Sequence, residues 1–204
     1  MILSDREIEA ALEDKQLIIN PRPNAELWSS TAIDLTLHGV MVRWKTSRPL
    51  PSGEPGGPKS VYPARDGFNV TEMAEDEHFA EKIAIPRDGF ALHPKCFVLG
   101  YTRERIYLPE RSRIAARVEG KSSLARLGIG VHVTAPTIHA GFGFNKKEPE
   151  TPGLPIQLEI FNLGEFVVYL ATGMPICQLI REEVREVPSK GYHGRFSAQE
   201  PFRA

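Results

Sequence analysis

An all-β domain is predicted for this chain, a sandwich or barrel of many short strands entered through one short N-terminal helix. Apolar runs recur at close intervals from residue 82 onward, at 83–85, 90–92, 97–101, 106–108, 114–118, 129–133, 156–161, 167–170 and 176–180. Glycine and proline punctuate them, with 17 of each in 204 residues, which is the pattern of strands joined by turns. No self-similar period of about 20–50 residues is visible, so neither a propeller nor a solenoid fits. With 41% hydrophobic residues, the chain is long enough to bury one core, and a single domain over residues 1–204 is expected.

The elements follow in order. Ser4 with Glu7 forms a capping box, and Ile8, Ala11 and Leu12 then share a face, which predicts a helix over 5–14. Pro21 and Pro23 impose an extended path after residues 17–19. Ile33, Leu35 and Leu37 alternate with Asp34, Thr36 and His38; after Gly39 the apolar set moves to Val40, Val42 and Trp44, a phase change that predicts a turn or bulge. Residues 46–66 hold five prolines and three glycines, and a long loop without a regular element is expected there. Residues 122–127 suit one or two helical turns, stopped by Gly128.

Charge and targeting exclude several classes of function. The net charge is −1, so no basic excess is present to bind nucleic acid. Acidic residues stand where a signal peptide needs a basic start, and no stretch approaches about eighteen apolar residues, so no membrane partner and a cytoplasmic location are expected. Cys96 and Cys177, the only cysteines, are read as free thiols. Trp28 and Trp44 are read as packing residues, Asp34 as a buried, hydrogen-bonded structural carboxylate, and His132 as a core or interface histidine.

Two features carry chemistry. Lys121-Ser122-Ser123-Leu124-Ala125-Arg126 combines two cations, two hydroxyls and the amides at the start of a helical turn, which together suit an anion such as phosphate. Glu159 lies in the strand-like run Pro-Ile-Gln-Leu-Glu-Ile-Phe-Asn, where alternation places a carboxylate on one face. A phosphate grip beside a lone base suggests nucleotide chemistry.

In this order, the segments 2–8, 32–35, 120–128 (Gly-Lys-Ser-Ser-Leu-Ala-Arg-Leu-Gly), 131–135 (Val-His-Val-Thr-Ala), 158–162 (Leu-Glu-Ile-Phe-Asn) and 173–179 (Gly-Met-Pro-Ile-Cys-Gln-Leu) resemble the deoxycytidine triphosphate deaminase branch of the deoxyuridine triphosphatase superfamily. The resemblance implies a distorted β-barrel or jelly-roll subunit, a homotrimer with sites between subunits, and hydrolysis of dCTP to dUTP and ammonia. It assigns catalysis to Glu159, Arg126 and Ser122. Lys121, Ser122, Ser123 and Arg126 would hold the triphosphate, with Thr134 and Ala135 shaping the pyrimidine pocket and Gln157 and His139 among the substrate contacts. Tyr192, Arg195 and Gln199 match a closing tail at about 190–204. Three departures stand out: Lys121 replaces a common arginine, His139 replaces an aspartate that touches the deoxyribose, and residues 144–153 form a polar insertion.

The zinc deaminases of cytosine use His-x-Glu and Pro-Cys-x-x-Cys elements, and this chain has neither. The expectation is therefore a zinc-free deamination, with Mg²⁺ arriving on the triphosphate. One competing reading is a dUTP pyrophosphatase, alone or as a second activity. His139 argues against it, because the hydrolases use the aspartate of that position to place water. The other is a non-catalytic nucleotide sensor.

Overall fold

The computed structural model describes residues 1–49, 55–131, 135–144 and 152–189. Its elements are α1 (Asp5–Glu13), β1 (Ile18–Asn20), β2 (Ala32–Thr36), β3 (Val40–Trp44), β4 (Ser47–Pro49), β5 (Pro55–Pro58), α2 (Val70–Glu75), β6 (Ala80–Ala84), β7 (Phe90–Leu92), β8 (Phe97–Tyr107), β9 (Ile114–Gly120), α3 (Ser122–Ala125), β10 (Ile129–Val131), β11 (Thr137–Ile138), β12 (Leu154–Asn162), β13 (Val168–Leu170) and β14 (Pro175–Glu183). The capping box opens α1 as expected: the Glu7 carboxylate accepts from the Ser4 amide at 2.7 Å while the Ser4 hydroxyl accepts from the Glu7 amide. Ile8 and Ala11 bury its inner face.

The strands make two principal sheets. A 6-stranded sheet runs β10-β12-β8-β3-β6, with β1 also on β8, and a 4-stranded sheet runs β11-β9-β14-β2. A bridge between Leu37 and Thr102 ties the end of β2 to β8. Between the sheets lies one core, to which Leu35, Val118 and Leu179 contribute from one side and Val98, Leu158 and Ile160 from the other. The architecture is mainly β with a short N-terminal helix; among the described residues the sheets do not close into a complete barrel.

Two elements depart from the sequence expectation. The Pro/Gly-rich stretch carries a short hairpin, with Ser47 opposite Pro58 and Pro49 opposite Pro55. Little apolar burial is needed for it, because Pro and Gly already favour extended or turning backbone and the Lys59 amide closes on the Thr46 carbonyl at 2.7 Å. Helix α2 was not expected. Its start is marked by Asn69, whose side-chain oxygen accepts from the amides of Thr71 and Glu72.

Arg181 places a guanidinium in the core. It shares the inward phase of β14 with Cys177 and Leu179, is fully buried, and its three guanidinium nitrogens meet no acceptor among the described residues. Burial pulls its pKa from 12.5 down to about 9, so the native state bears the full cost of the charge below that pH and loses it progressively as pH rises toward the unfolded value. Arg181→Met, similar in length and uncharged, is expected to stabilise the protein by about 1–4 kcal/mol near neutral pH. Thermal melts at pH 7 and pH 10 check this: the gain in Tm shrinks at the higher pH, and a lower Tm at pH 7 contradicts it.

Candidate active site

Glu159 is placed by the alternation of β12, in which Leu158, Ile160 and Asn162 turn into the core while Gln157, Glu159 and Phe161 stay half-buried on the opposite face. Across the ladder Glu159 stands opposite Leu99, and Gln157 opposite Tyr101. One carboxylate oxygen of Glu159, Oε2, is sealed from solvent. Gln157 donates from Nε2 to the Tyr101 hydroxyl at 2.7 Å. Burial pushes that phenol up to about 12, so it stays a neutral hydroxyl at working pH. The Phe161 ring closes over Gly130: a Cβ there would sit 2.2 Å from the ring, so any larger residue at that point of the strand beside Glu159 would have to displace the ring.

The expected helical turn is α3, which ends at Ala125 with its C-cap at Arg126 and runs on as a turn to Gly128 at φ +86. Leu124 packs against the main core, while Ser122, Ser123 and Arg126 are exposed. The amides of Leu124 and Ala125 both donate to the Lys121 carbonyl, so the anion-binding capacity of this turn rests chiefly on the two hydroxyls and Arg126. The Lys121 ammonium pairs with Asp34 Oδ2, and Asp34 Oδ1 accepts from Gln178 Nε2 at 3.0 Å. The lysine expected on phosphate thus braces the start of α3 against β2 and β14, and Asp34 is the paired structural carboxylate that the sequence suggests.

β10 lies between the backbones that carry the two features. A Cβ on Gly120, just before α3, would lie 3.8 Å from the Val131 amide, and Val131 pairs with Ile160, the neighbour of Glu159. Ala135 and His139 are exposed; Ala135 precedes Pro136, whose carbonyl accepts from the Val118 amide at 2.9 Å, two residues before Gly120. Ile138 pairs with Ala116 on β9, four residues or about 13 Å of strand from Gly120. The insertion has clamped ends, with the Gly153 amide donating to the Gly143 carbonyl at 3.0 Å. His132, Thr134, Tyr192, Arg195 and Gln199 lie outside the described residues. Among the described residues, no group of three or more His, Cys, Asp and Glu side chains is placed to hold a metal ion. No helix there is long and apolar enough to cross a membrane.

Sequence reasoning missed Tyr101, Gln178 and the Lys121–Asp34 pair as parts of this region. Asp34 and Gln178 stood in quoted segments, but nothing local linked them to Lys121. The partner of Gln157 became visible only through the β8–β12 register.

Comparisons with known proteins agree on one family. A family model described as dCTP deaminase-like matches residues 2–184. The chain is similar to a dCTP deaminase of Shewanella loihica, 34% identical over 200 residues, covering 98% of this chain and 92% of the relative. It is also similar to proteins named dCTP deaminase, dUMP-forming. That of Methanosphaera stadtmanae is 33% identical over 94% of this chain and 83% of its own; that of Halobacterium salinarum is 34% identical over 94% and 85%. Among solved structures, a 2'-deoxycytidine 5'-triphosphate deaminase from Agrobacterium tumefaciens superposes with a TM-score of 0.61 at 20% identity, over 88% of this chain and 47% of that one. The present chain therefore spans about half of that structure, and the likeness supports the fold.

Proposed function

The chain belongs to the dCTP deaminase-like family of hydrolytic enzymes, and from that premise we propose that it hydrolyses the 4-amino group of dCTP, giving dUTP and ammonia. The observation that carries the proposal is the adjacency just described: a half-buried carboxylate on β12, reached through β10 from a turn that exposes Ser122, Ser123 and Arg126.

In this reading Ser122, Ser123 and Arg126 grip the triphosphate, Arg126 by a charge-assisted contact. Glu159 takes a proton from water as the water oxygen bonds to C4, and delivers it to N3 of the ring. The carboxylate then takes the remaining proton from the new C4 hydroxyl and delivers it to the amino nitrogen, the C4–N bond breaks as the C4 carbonyl forms and ammonia leaves, so that dCTP and water give dUTP and ammonia. Mg²⁺ arriving on the triphosphate would offset its charge. The protein works in the cytoplasm as a homotrimer. Residues of a second subunit complete a site whose His139 and α3 stand apart in one chain, and light scattering of the purified protein tests that assembly.

A second reading has an observation of its own: relatives at nearly equal identity carry the dUMP-forming name. Further hydrolysis would then release pyrophosphate from dUTP. His139 weighs against it, since an imidazole replaces the carboxylate that would place the second water. Incubation with dCTP and Mg²⁺, followed by chromatography of nucleotides and assays of ammonia and pyrophosphate, separates the readings. Ammonia equimolar with dUTP is expected; dUMP with pyrophosphate establishes the second reading, and no ammonia from any cytosine nucleotide refutes both.

A further inference from the structure

Asn162 ends β12 three residues beyond Glu159 and is fully buried. Its side-chain nitrogen donates to the carbonyls of Leu92 at 2.9 Å and Phe166 at 2.8 Å, and its oxygen accepts from the Gly164 amide at 2.9 Å. A buried amide so well satisfied fixes the turn over 163–166 against the end of the strand.

That turn in turn meets the far end of α3. The Leu163 amide donates to the Gly128 carbonyl at 2.8 Å. A Cβ on Gly128 would lie 2.2 Å from the Gly164 nitrogen, and one on Gly164 would lie 2.0 Å from the Leu127 carbonyl oxygen. Both distances are far inside van der Waals contact, so the two backbones touch only because both residues are glycine. Ser122, Ser123 and Arg126 are exposed and gain no position from packing of their own. Their placement comes from Leu124, from Lys121 on Asp34 at one end, and from this contact at the other.

We propose that the Gly128–Gly164 contact, braced by Asn162, sets the spacing between the phosphate-gripping turn and Glu159, which makes these three positioning residues. The inference rests on the deaminase reading of α3 and Glu159. In a nucleotide the separation of triphosphate and C4 is limited by covalent structure. A site that holds both ends must match that separation, and a misplacement of about 1 Å can cost about a hundredfold in rate.

The test is Gly164→Ala, with Glu165→Ala at the exposed neighbouring position as control, read by ammonia release from dCTP and by competitive inhibition with inorganic tripolyphosphate. Tripolyphosphate touches only the phosphate grip, so its inhibition constant is expected to stay within about threefold while kcat/KM for dCTP falls about tenfold or more. An unchanged kcat/KM, or an inhibition constant that rises in parallel, overturns the spacing role. Wild-type protein that releases no ammonia defeats the deaminase reading itself; active wild type with an equally active variant defeats the positioning inference alone. Should Gly164→Ala fail to fold, amide hydrogen exchange on the wild-type protein decides the matter. The Leu163 and Gly164 amides are expected to be protected like those of β12, and exchange at open-loop rates overturns the proposal.

Discussion

Glu159→Gln is expected to lower ammonia release from dCTP by about 10²–10⁴-fold or more, with triphosphate affinity held within about threefold. The amide keeps the shape and the polar character of a side chain that is half-buried on β12, so the strand and its ladder to β8 remain. What disappears is the capacity to take a proton from water and deliver it to the departing nitrogen. Steady-state assays paired with equilibrium binding of dCTP to the inactive variant separate the two effects. Equal losses of turnover and binding would mean that residue 159 holds the substrate rather than moving protons.

Arg126→Ala is expected to weaken dCTP binding by about 2 kcal/mol or more, or about 30-fold in Kd. The value sits at the low end for truncated charge pairs because Arg126 is exposed in the free chain and becomes desolvated only when ligand covers it. Lysine at the same position should restore only part of the affinity, since a point charge replaces a planar fork. Calorimetric titration on a Glu159→Gln background measures this without turnover. An unchanged Kd would remove Arg126 from the phosphate grip.

Much of the fold was legible because its signals are local. Ser4 and Glu7 are three positions apart and cap α1 by themselves, and the phase change across Gly39 separates β2 from β3 where expected. Likewise the turn that follows α3 finishes at Gly128 with its positive φ. The cap of α2 was equally local, with Asn69 three residues before Glu72, but a six-residue helix has too little periodicity to draw attention. The hairpin of β4 and β5 was concealed by a composition that burial arguments discount.

The site was legible as chemistry rather than as geometry. The residue types at 121–126 and 159 suggested an anion grip and a base, while the strands and turns that join them are set by long-range pairing. Lys121 and Asp34 are 87 residues apart in sequence, and Gln157 and Tyr101 are 56 apart, so neither link leaves a local trace. Arg181 is an intermediate case: its phase with Cys177 and Leu179 points inward, yet a charged residue there contradicts the usual preference for apolar side chains. The glycine contact between residues 128 and 164 shows only once the two backbones are seen together.

The most direct measurement is a crystal structure of the Glu159→Gln variant with dCTP and Mg²⁺. It is predicted to place the side chain of residue 159 within hydrogen-bond distance of N3 and the exocyclic amine of the ring, with the triphosphate on Ser122, Ser123 and Arg126. A cytosine ring seated elsewhere, or residue 159 turned away from it, would contradict the account.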